Sequence, residues 1–386
     1  MSGPSLKTQG ANPHSFAPST GDSPKPGARA LKADDLSRRE LVLLWVLSAV
    51  CFITVLTHFQ SYEKFDFGDN AQYISAAEAI RHWDLRSSHT KQGWGLSYLI
   101  ALLLIFHLSG HVSLLIISIA SSLGSVLLVR NLWGAWIAAF FAVLNFPWLQ
   151  TSFLGGSEPL FVLLLFGSFW LSRRERWLPA AVLAALATLT RPIGVFALFA
   201  LGFTLVLRKD YRKLLLCTAV AALIGFLYLL PFWVSFHDPL YQFHRYKQED
   251  WQSGHLVSWP FHIIAVSYLY YRGPWTNVIL TGAWIGLATV GLCRMGVKLY
   301  RERVMERPYE QVFTGTYVTF LFCYNSLEWS RWGFPRFVIP AIPLVLLSIN
   351  PWLPKSRYVI YPLCVVSSIL AACSAIGIQN VMATLR

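Results

Sequence analysis

Long apolar runs alternate with short polar turns along most of the chain from residue 41 onward. Several runs reach about 20 residues, the length that crosses the roughly 30 Å hydrocarbon core of a bilayer as a helix. A lone apolar segment in lipid must satisfy its own backbone hydrogen bonds, and an α-helix does so. The pattern therefore predicts an all-α polytopic membrane protein.

The same pattern predicts 11 membrane spans, if the short run 95–107 is a helix lying at the membrane surface. On this prediction the first loop outside the membrane covers residues 60–110 and the second large one covers 237–275. The predicted spans are residues 41–59, 111–129, 132–149, 159–171, 178–189, 193–207, 214–236, 276–292, 312–327, 337–349 and 358–378.

Composition supports this class, because 55% of the residues are hydrophobic and only 13% are charged. An average soluble domain has about 25% charged residues. The net charge of +13 is not evidence for nucleic-acid binding, because most Lys and Arg residues fall in short turns. In the predicted topology 21 of the 32 Lys and Arg residues lie on the cytoplasmic side, 6 in the tail and 15 in loops, which is the bias expected of a membrane protein. Residues 1–38, rich in Pro, Gly and Ser, are predicted to be a disordered cytoplasmic tail, followed by one transmembrane domain over 39–386.

This topology places most of the remaining charged side chains on the extracytoplasmic face. Carboxylates and cations from distant parts of the chain can therefore meet there. Such a set suits a lipid-phosphate substrate, since cations bind the phosphate and a carboxylate acts as a base. The candidates for catalysis are Asp69, Asp66 and Glu158, and those for substrate binding are Glu78, Arg191, His244, Lys247, Trp251, Arg331 and Arg336.

Each candidate also has a purely structural interpretation. Asp69 has Gln72 three residues later, the spacing of a capping box for a helix that begins at Asn70. Glu158, followed by a proline, is typical of a helix start. Arg191 fits an arginine that extends from a span towards the interface. No group of His, Cys and Asp residues has the spacing of a metal site.

Five short motifs follow one another along the chain: Asp69 with Tyr73 and Ala77, Ser157-Glu158, Thr190-Arg191 with Gly194, Asp238-Pro239-Leu240 with Gln248 and Trp251, and Arg336-Phe337 with Pro340 and Pro343. Together they resemble the motifs of the GT-C class of integral membrane glycosyltransferases, and most closely those of the PIG-V-like mannosyltransferases and their bacterial relatives. One departure is that Phe67 and Gly68 precede Asp69, where that family often has Arg-Trp.

The resemblance implies a sugar donor linked to polyprenyl or dolichyl phosphate, often carrying mannose, and a lipid, glycan or protein acceptor. It implies transfer with inversion, Asp69 as general base, and Asp66 or Glu158 positioning the acceptor or an ion. Arg191, Arg331 and Arg336 would bind the phosphate, and Trp251 would stack on sugar. It leaves open whether a divalent cation takes part. The expected location is a bacterial inner membrane rather than the endoplasmic reticulum.

Two other classes of function remain open at this stage. One is a transporter or flippase for a lipid-linked substrate, since ionisable residues in membranes often mark transport paths. The other is a non-catalytic scaffold subunit of the same fold.

Overall fold

The structure is a computed structural model that describes residues 36–59, 69–87, 92–249, 254–269, 275–303, 305–327 and 333–384. Leu36–Arg386 form one compact unit. The predicted N-terminal tail lies almost entirely outside the described residues, so its disorder stays a prediction.

The described chain is built from α-helices joined by short connections, which confirms the all-α class. An isolated antiparallel bridge joins Val257, in the second large loop, to Tyr324. The helices are α1 (Arg38–Phe59), α2 (Asn70–Arg81), α3 (Trp94–Leu104), α4 (Gly110–Trp133), α5 (Ala135–Leu144), α6 (Phe146–Leu154), α7 (Glu158–Arg173), α8 (Trp177–Thr190), α9 (Val195–Leu207), α10 (Tyr211–Phe236), α11 (Tyr241–Glu249), α12 (His262–Leu269), α13 (Trp275–Glu302), α14 (Pro308–Cys323), α15 (Phe334–Phe337), α16 (Ile342–Ser348) and α17 (Arg357–Thr384).

Within the described ranges, five helices are long and apolar enough to cross a membrane, or six if α5 and α6 form one broken span. The five are α1, α4, α10, α13 and α17. The other predicted spans coincide with shorter or interrupted helices. For example, α8 has 14 residues, α14 ends at Cys323, and residues 337–349 are divided between the end of α15, a 3-10 helix and α16. At 1.5 Å per residue α8 covers roughly 21 Å. The polytopic membrane class is thus supported, whereas the count of 11 stays a prediction.

The predicted surface helix of the first loop is present as α3, which has 11 residues. At roughly 16 Å it is too short to cross a bilayer core by itself. It packs against α2, α4 and α8. Two glycines allow the contact with α8, because a Cβ atom on Gly93 or Gly95 would lie 2.7 Å from backbone atoms of Thr190.

One predicted span, residues 132–149, is interrupted in the structure. α5 and α6 meet at Asn145 with a bend of 76°. Asn145 is extended, and its Oδ1 accepts a hydrogen bond from the Trp148 N–H, so it caps α6. Pro147 lacks the N–H that would continue the hydrogen bonds of α5. The Asn145 Nδ2 donates to the Pro335 carbonyl at 2.7 Å, which ties the bend to α15.

Small residues bring α7 and α8 close together. Ala180 and Ala184 on α8 are fully buried, and a Cβ on Gly167 of α7 would lie 2.9 Å from the Leu183 side chain. The Ser168 hydroxyl donates to the Ala180 carbonyl at 2.7 Å. Close backbone approach with interhelical hydrogen bonds is how helices associate in lipid. Glu158, the first residue of α7, and Arg191, the residue after α8, lie at the same end of this helix pair.

An ion pair between a buried glutamate and a partly exposed arginine lies at the other end of α7. The Arg173 guanidinium forms a fork with the Glu310 carboxylate, with contacts of 2.5 Å from Nε to Oε1 and 2.7 Å from Nη2 to Oε2. The Trp133 indole N–H also donates to Glu310, at 2.9 Å. These contacts join the end of α7, the start of α14 and the end of α4.

Candidate active site

Four charged side chains from four separate parts of the chain form one cluster, which we call the charged cluster: Asp69, Glu158, Arg191 and Arg336. Asp69 precedes α2, Glu158 begins α7, Arg191 follows α8, and Arg336 lies in α15. Glu158 Oε1 accepts hydrogen bonds from Arg191 Nη1 and Arg336 Nε. Arg336 Nη2 lies 3.9 Å from Asp69 Oδ2. The structure thus brings together four of the residues that the sequence singled out.

Exposure differs across the charged cluster. The Glu158 side chain is 4% exposed, that of Arg191 15%, that of Arg336 21% and that of Asp69 34%. The cluster is therefore open on the side of Asp69 and closed around Glu158. Two guanidinium groups on one carboxylate oxygen compensate the buried negative charge of Glu158, which would otherwise be very costly.

Asp69 does not act as a helix cap through its side chain. The helix begins at Asn70, as the sequence predicts, and the Asp69 backbone carbonyl accepts from Tyr73 N–H at 3.2 Å. The carboxylate makes no capping hydrogen bond and lies near Arg336 instead. The predicted capping box is therefore wrong, because the Asp69 carboxylate lies beside Arg336 and not on the first turn of α2.

Glu158 is placed by a turn that only a glycine forms easily. Gly155 has φ +92°, a conformation that side chains with a Cβ rarely adopt. The next residue, Gly156, is held by Ser118, whose hydroxyl accepts from its N–H at 3.2 Å. A Cβ on Gly156 would lie 2.8 Å from Glu158 Oε2, so the turn also makes room for the carboxylate. The predicted helix start at Glu158 is confirmed, and the same residue is the centre of the charged cluster.

Arg191 lies largely inside the protein, with 15% of its side chain exposed. Its backbone is extended and connects α8 to the short 3-10 helix Pro192–Gly194. Besides Glu158, its Nη1 donates to the Ser157 hydroxyl at 3.1 Å. Its guanidinium also lies over the Phe337 ring, 5.3 Å from the centroid. The structural interpretation of Arg191 as a surface-reaching arginine is therefore wrong.

Tyr73 links the charged cluster to the first loop, a contact that the sequence did not predict. It lies four residues after Asp69 on α2, and its hydroxyl donates to the Ser157 hydroxyl at 3.0 Å. Burial raises the pKa of Tyr73 to about 12, so its hydroxyl stays protonated. The Asp-x-x-x-Tyr spacing was the available signal, because residues i and i+4 share a helix face.

The other predicted site residues have different surroundings. Glu78 lies 4.0 Å from Arg81 and 3.8 Å from His82, both on its own helix or directly after it. His244 is 2.7 Å from Asp238, and the Lys247 side chain lies near Gly254, both within the second large loop. The predicted roles of these residues stay predictions. Three further candidates, Asp66, Trp251 and Arg331, lie outside the described residues.

Among the residues that the structure describes, no group of three or more His, Cys, Asp or Glu side chains could hold a metal ion. Within the charged cluster, Glu158 is bonded to two guanidinium groups and Asp69 lies beside one of them. The arrangement can accept a proton at Asp69 and bind an anion through the two arginines.

Comparisons with known proteins place the chain in a family. The model of glycosyltransferase family 87 matches residues 94–326, more than half of the chain. This region includes Glu158 and Arg191, while Asp69 and Arg336 lie on either side of it. Comparison with curated proteins and with solved structures finds no match. The narrower resemblance to PIG-V-like mannosyltransferases stays a prediction. The chain belongs to glycosyltransferase family 87, a family of GT-C-type membrane glycosyltransferases.

Proposed function

We propose that the protein transfers a mannosyl group from a polyprenyl- or dolichyl-phosphate donor to a hydroxyl of a lipid, glycan or protein acceptor, on the extracytoplasmic face and with inversion. The observation that carries this proposal is the Asp69 carboxylate, which is partly exposed, makes no capping bond and lies 3.9 Å from Arg336, whose guanidinium shares Glu158 with that of Arg191. A base next to an anion-binding group is what transfer from a sugar phosphate requires.

Asp69 is the general base in this proposal. It takes the proton of the acceptor hydroxyl as the oxygen bonds to the anomeric carbon. The bond from that carbon to the phosphate oxygen breaks, and its electron pair leaves with the lipid phosphate. A positioned base typically contributes about 10²–10⁴-fold to the rate.

Arg336 and Arg191 stabilise the phosphate as it gains negative charge. Guanidinium groups suit this role because they bind phosphate oxygens with two parallel hydrogen bonds. Arg336 is the better placed of the two, since its Nη2 reaches towards Asp69 and its side chain is the more exposed. Glu158 is a positioning residue, because it holds both guanidinium groups from the buried side.

A lipid-linked donor explains why such a site belongs to a membrane protein. The polyprenyl chain stays in lipid while its phosphate and sugar meet the charged cluster at the boundary. The helices α2 and α3 are too short to cross a bilayer, and in this proposal they lie along that boundary next to the donor. We propose that this face is periplasmic in a bacterium.

The proposal is tested by sugar transfer with purified protein in detergent, using polyprenyl-phosphate-mannose as donor and release of polyprenyl phosphate as the signal. Asp69→Asn is expected to lower the rate about 10²–10⁴-fold while the protein stays folded. Asp210→Asn is the matched control. Asp210 caps α10 by accepting from Lys213 N–H, and Asn caps a helix equally well.

Release by the wild type and by Asp210→Asn, but not by Asp69→Asn, would establish the transferase and its base. Near-normal turnover by Asp69→Asn would show that another group is the base. No release by a folded wild-type sample with several lipid-linked sugars would favour transport or a scaffold role.

A further inference from the structure

A group of aromatic residues adjoins the charged cluster. Trp94, Tyr228 and Phe232 pack together with two aliphatic neighbours in what we call the aromatic cluster. The ring centroids of Trp94 and Phe232 are 5.7 Å apart, and those of Tyr228 and Phe232 are 5.5 Å apart. One aliphatic neighbour, Leu189, lies two residues before Arg191, so the aromatic cluster borders the proposed phosphate site.

The aromatic cluster contains buried polar groups without a partner. Tyr228 is 7% exposed and Trp94 is 0% exposed. Within the described chain, neither the Tyr228 hydroxyl nor the Trp94 indole N–H has a hydrogen-bond partner. Native structures rarely leave buried polar groups unpaired, because removing them from water destabilises the fold.

Other buried tyrosines of this protein show the usual arrangement. The hydroxyl of Tyr309 lies 2.8 Å from the Ser168 hydroxyl, and that of Tyr317 donates to the Phe337 carbonyl at 2.6 Å. Tyr73 is paired in the same way with Ser157. Tyr228 differs from these three tyrosines, because it is buried like them but its hydroxyl has no hydrogen-bond partner among the described residues.

The amphipathic helix α11 adds more polar groups beside the aromatic cluster. Tyr241 of α11 stacks on the Phe236 ring at 3.8 Å. Gln242 is 1% exposed, and neither its amide oxygen nor its amide nitrogen has a partner in the described part of the chain. Tyr246 lies four residues later on the same face of α11, and its hydroxyl donates to Gln92 Oε1 at 3.5 Å, two residues before Trp94.

Aromatic faces combined with fixed hydroxyl, indole and amide groups match the surface of a sugar ring. A hexose has apolar C–H faces that pack on aromatic rings, and equatorial hydroxyl groups that both donate and accept hydrogen bonds. The position next to Arg191 suits a sugar, since the sugar of the donor is bonded directly to the phosphate.

We propose that Trp94, Tyr228 and Gln242 bind a hexose ring, with the Tyr228 hydroxyl setting the preference for one of its hydroxyl groups. This inference rests on the proposed function and assigns the sugar subsite of the same site. A pocket built to hydrogen-bond a substrate hydroxyl discriminates strongly, because its own polar groups are otherwise left unpaired.

The test compares Tyr228→Phe with the matched control Tyr309→Phe, both as full chains in detergent. Each variant removes one buried phenol oxygen, but only Tyr309 gives its hydroxyl a protein partner. We therefore expect the melting temperature of the free protein to fall in Tyr309→Phe and not in Tyr228→Phe. This comparison also shows that Tyr228→Phe is folded.

Sugar binding is measured as ligand-dependent thermal stabilisation in two arms. The donor arm compares polyprenyl-phosphate-mannose with polyprenyl phosphate, and the acceptor arm uses methyl α-mannoside. We expect the sugar-dependent stabilisation to be present in the wild type and in Tyr309→Phe and lost in Tyr228→Phe, in one arm. The arm that responds identifies the sugar of the donor or that of the acceptor.

Kinetics add a second readout. In the transfer assay, Tyr228→Phe should raise KM for the corresponding substrate about tenfold with kcat little changed, because a contact made equally in the ground and transition states is lost. Equal sugar-dependent stabilisation in Tyr228→Phe and wild type, or none in the wild type, would overturn the inference. Sugar-dependent stabilisation without any transfer would instead keep the inference and refute the proposed function.

Discussion

The variant Glu158→Gln tests the electrostatic structure of the charged cluster. It replaces the buried carboxylate with an amide of nearly the same shape. Arg191 and Arg336 then lose the group that both of them contact. The charged cluster changes from two carboxylates and two guanidinium groups to one carboxylate and two guanidinium groups, with a net positive charge.

The expected cost follows from burial. Removing one partner of a buried ion pair destabilises a protein by about 3–5 kcal/mol. Here the arginine side chains are 15% and 21% exposed, and Asp69 remains 3.9 Å from Arg336. These features reduce the penalty, so we expect a loss of about 3 kcal/mol in the free energy of unfolding.

A double variant separates charge balance from simple loss of contacts. Glu158→Gln with Arg336→Gln leaves one carboxylate and one guanidinium group and restores neutrality. We expect this double variant to be more stable than the sum of the two single effects predicts, by about 1–3 kcal/mol. The matched control is Glu175→Gln, because Glu175 pairs with Arg208 at an exposed position. This control should lower the free energy of unfolding by less than about 1 kcal/mol.

The assay is unfolding in mixed micelles with increasing SDS, followed by tryptophan fluorescence. The chain has 16 tryptophans, which provide the signal. If Glu158→Gln is no less stable than Glu175→Gln, the buried carboxylate does not hold the charged cluster together. Strict additivity in the double variant would contradict the argument from charge balance.

Two further substitutions test packing away from the chemistry. Glu310→Gln should lower the free energy of unfolding by about 3 kcal/mol by breaking the fork with Arg173, measured by the same unfolding assay, with KM unchanged. Gly95→Ala should lower the melting temperature and the transfer rate together, because the added Cβ would lie 2.7 Å from the backbone of Thr190. We expect it to lower the free energy of unfolding by about 1–3 kcal/mol. Gly286→Ala is the control for the glycine change, because a Cβ there meets nothing within 4 Å, and an equal effect of both would refute the packing argument.

Local signals predicted where helices begin. Asp69 before Asn70, and Glu158 before a proline, both mark helix starts that the structure contains. The break at Asn145 had a similar signal, an asparagine cap with a proline two residues later. Hydropathy, however, continues across the break and therefore indicates a single span.

Local signals did not predict where side chains point. The direction of the Asp69 carboxylate depends on Arg336, which follows it by more than half the length of the chain. The residues around Arg191, including the proline that follows it, do not predict its contact with Glu158. The sequence predicted that charges would gather on one face, but the pairing between them arises from tertiary packing.

The separation of the charged cluster along the chain has a consequence for biosynthesis. Glu158 and Arg191 are 33 residues apart and lie at the same end of the helical hairpin formed by α7 and α8. Arg336 comes 178 residues after Glu158 and is translated much later. The nascent chain can therefore insert α7 and α8 with their charges already neutralised by each other. Arg336 is added afterwards, and its contact with Asp69 completes the charged cluster only when nearly the whole protein has been made.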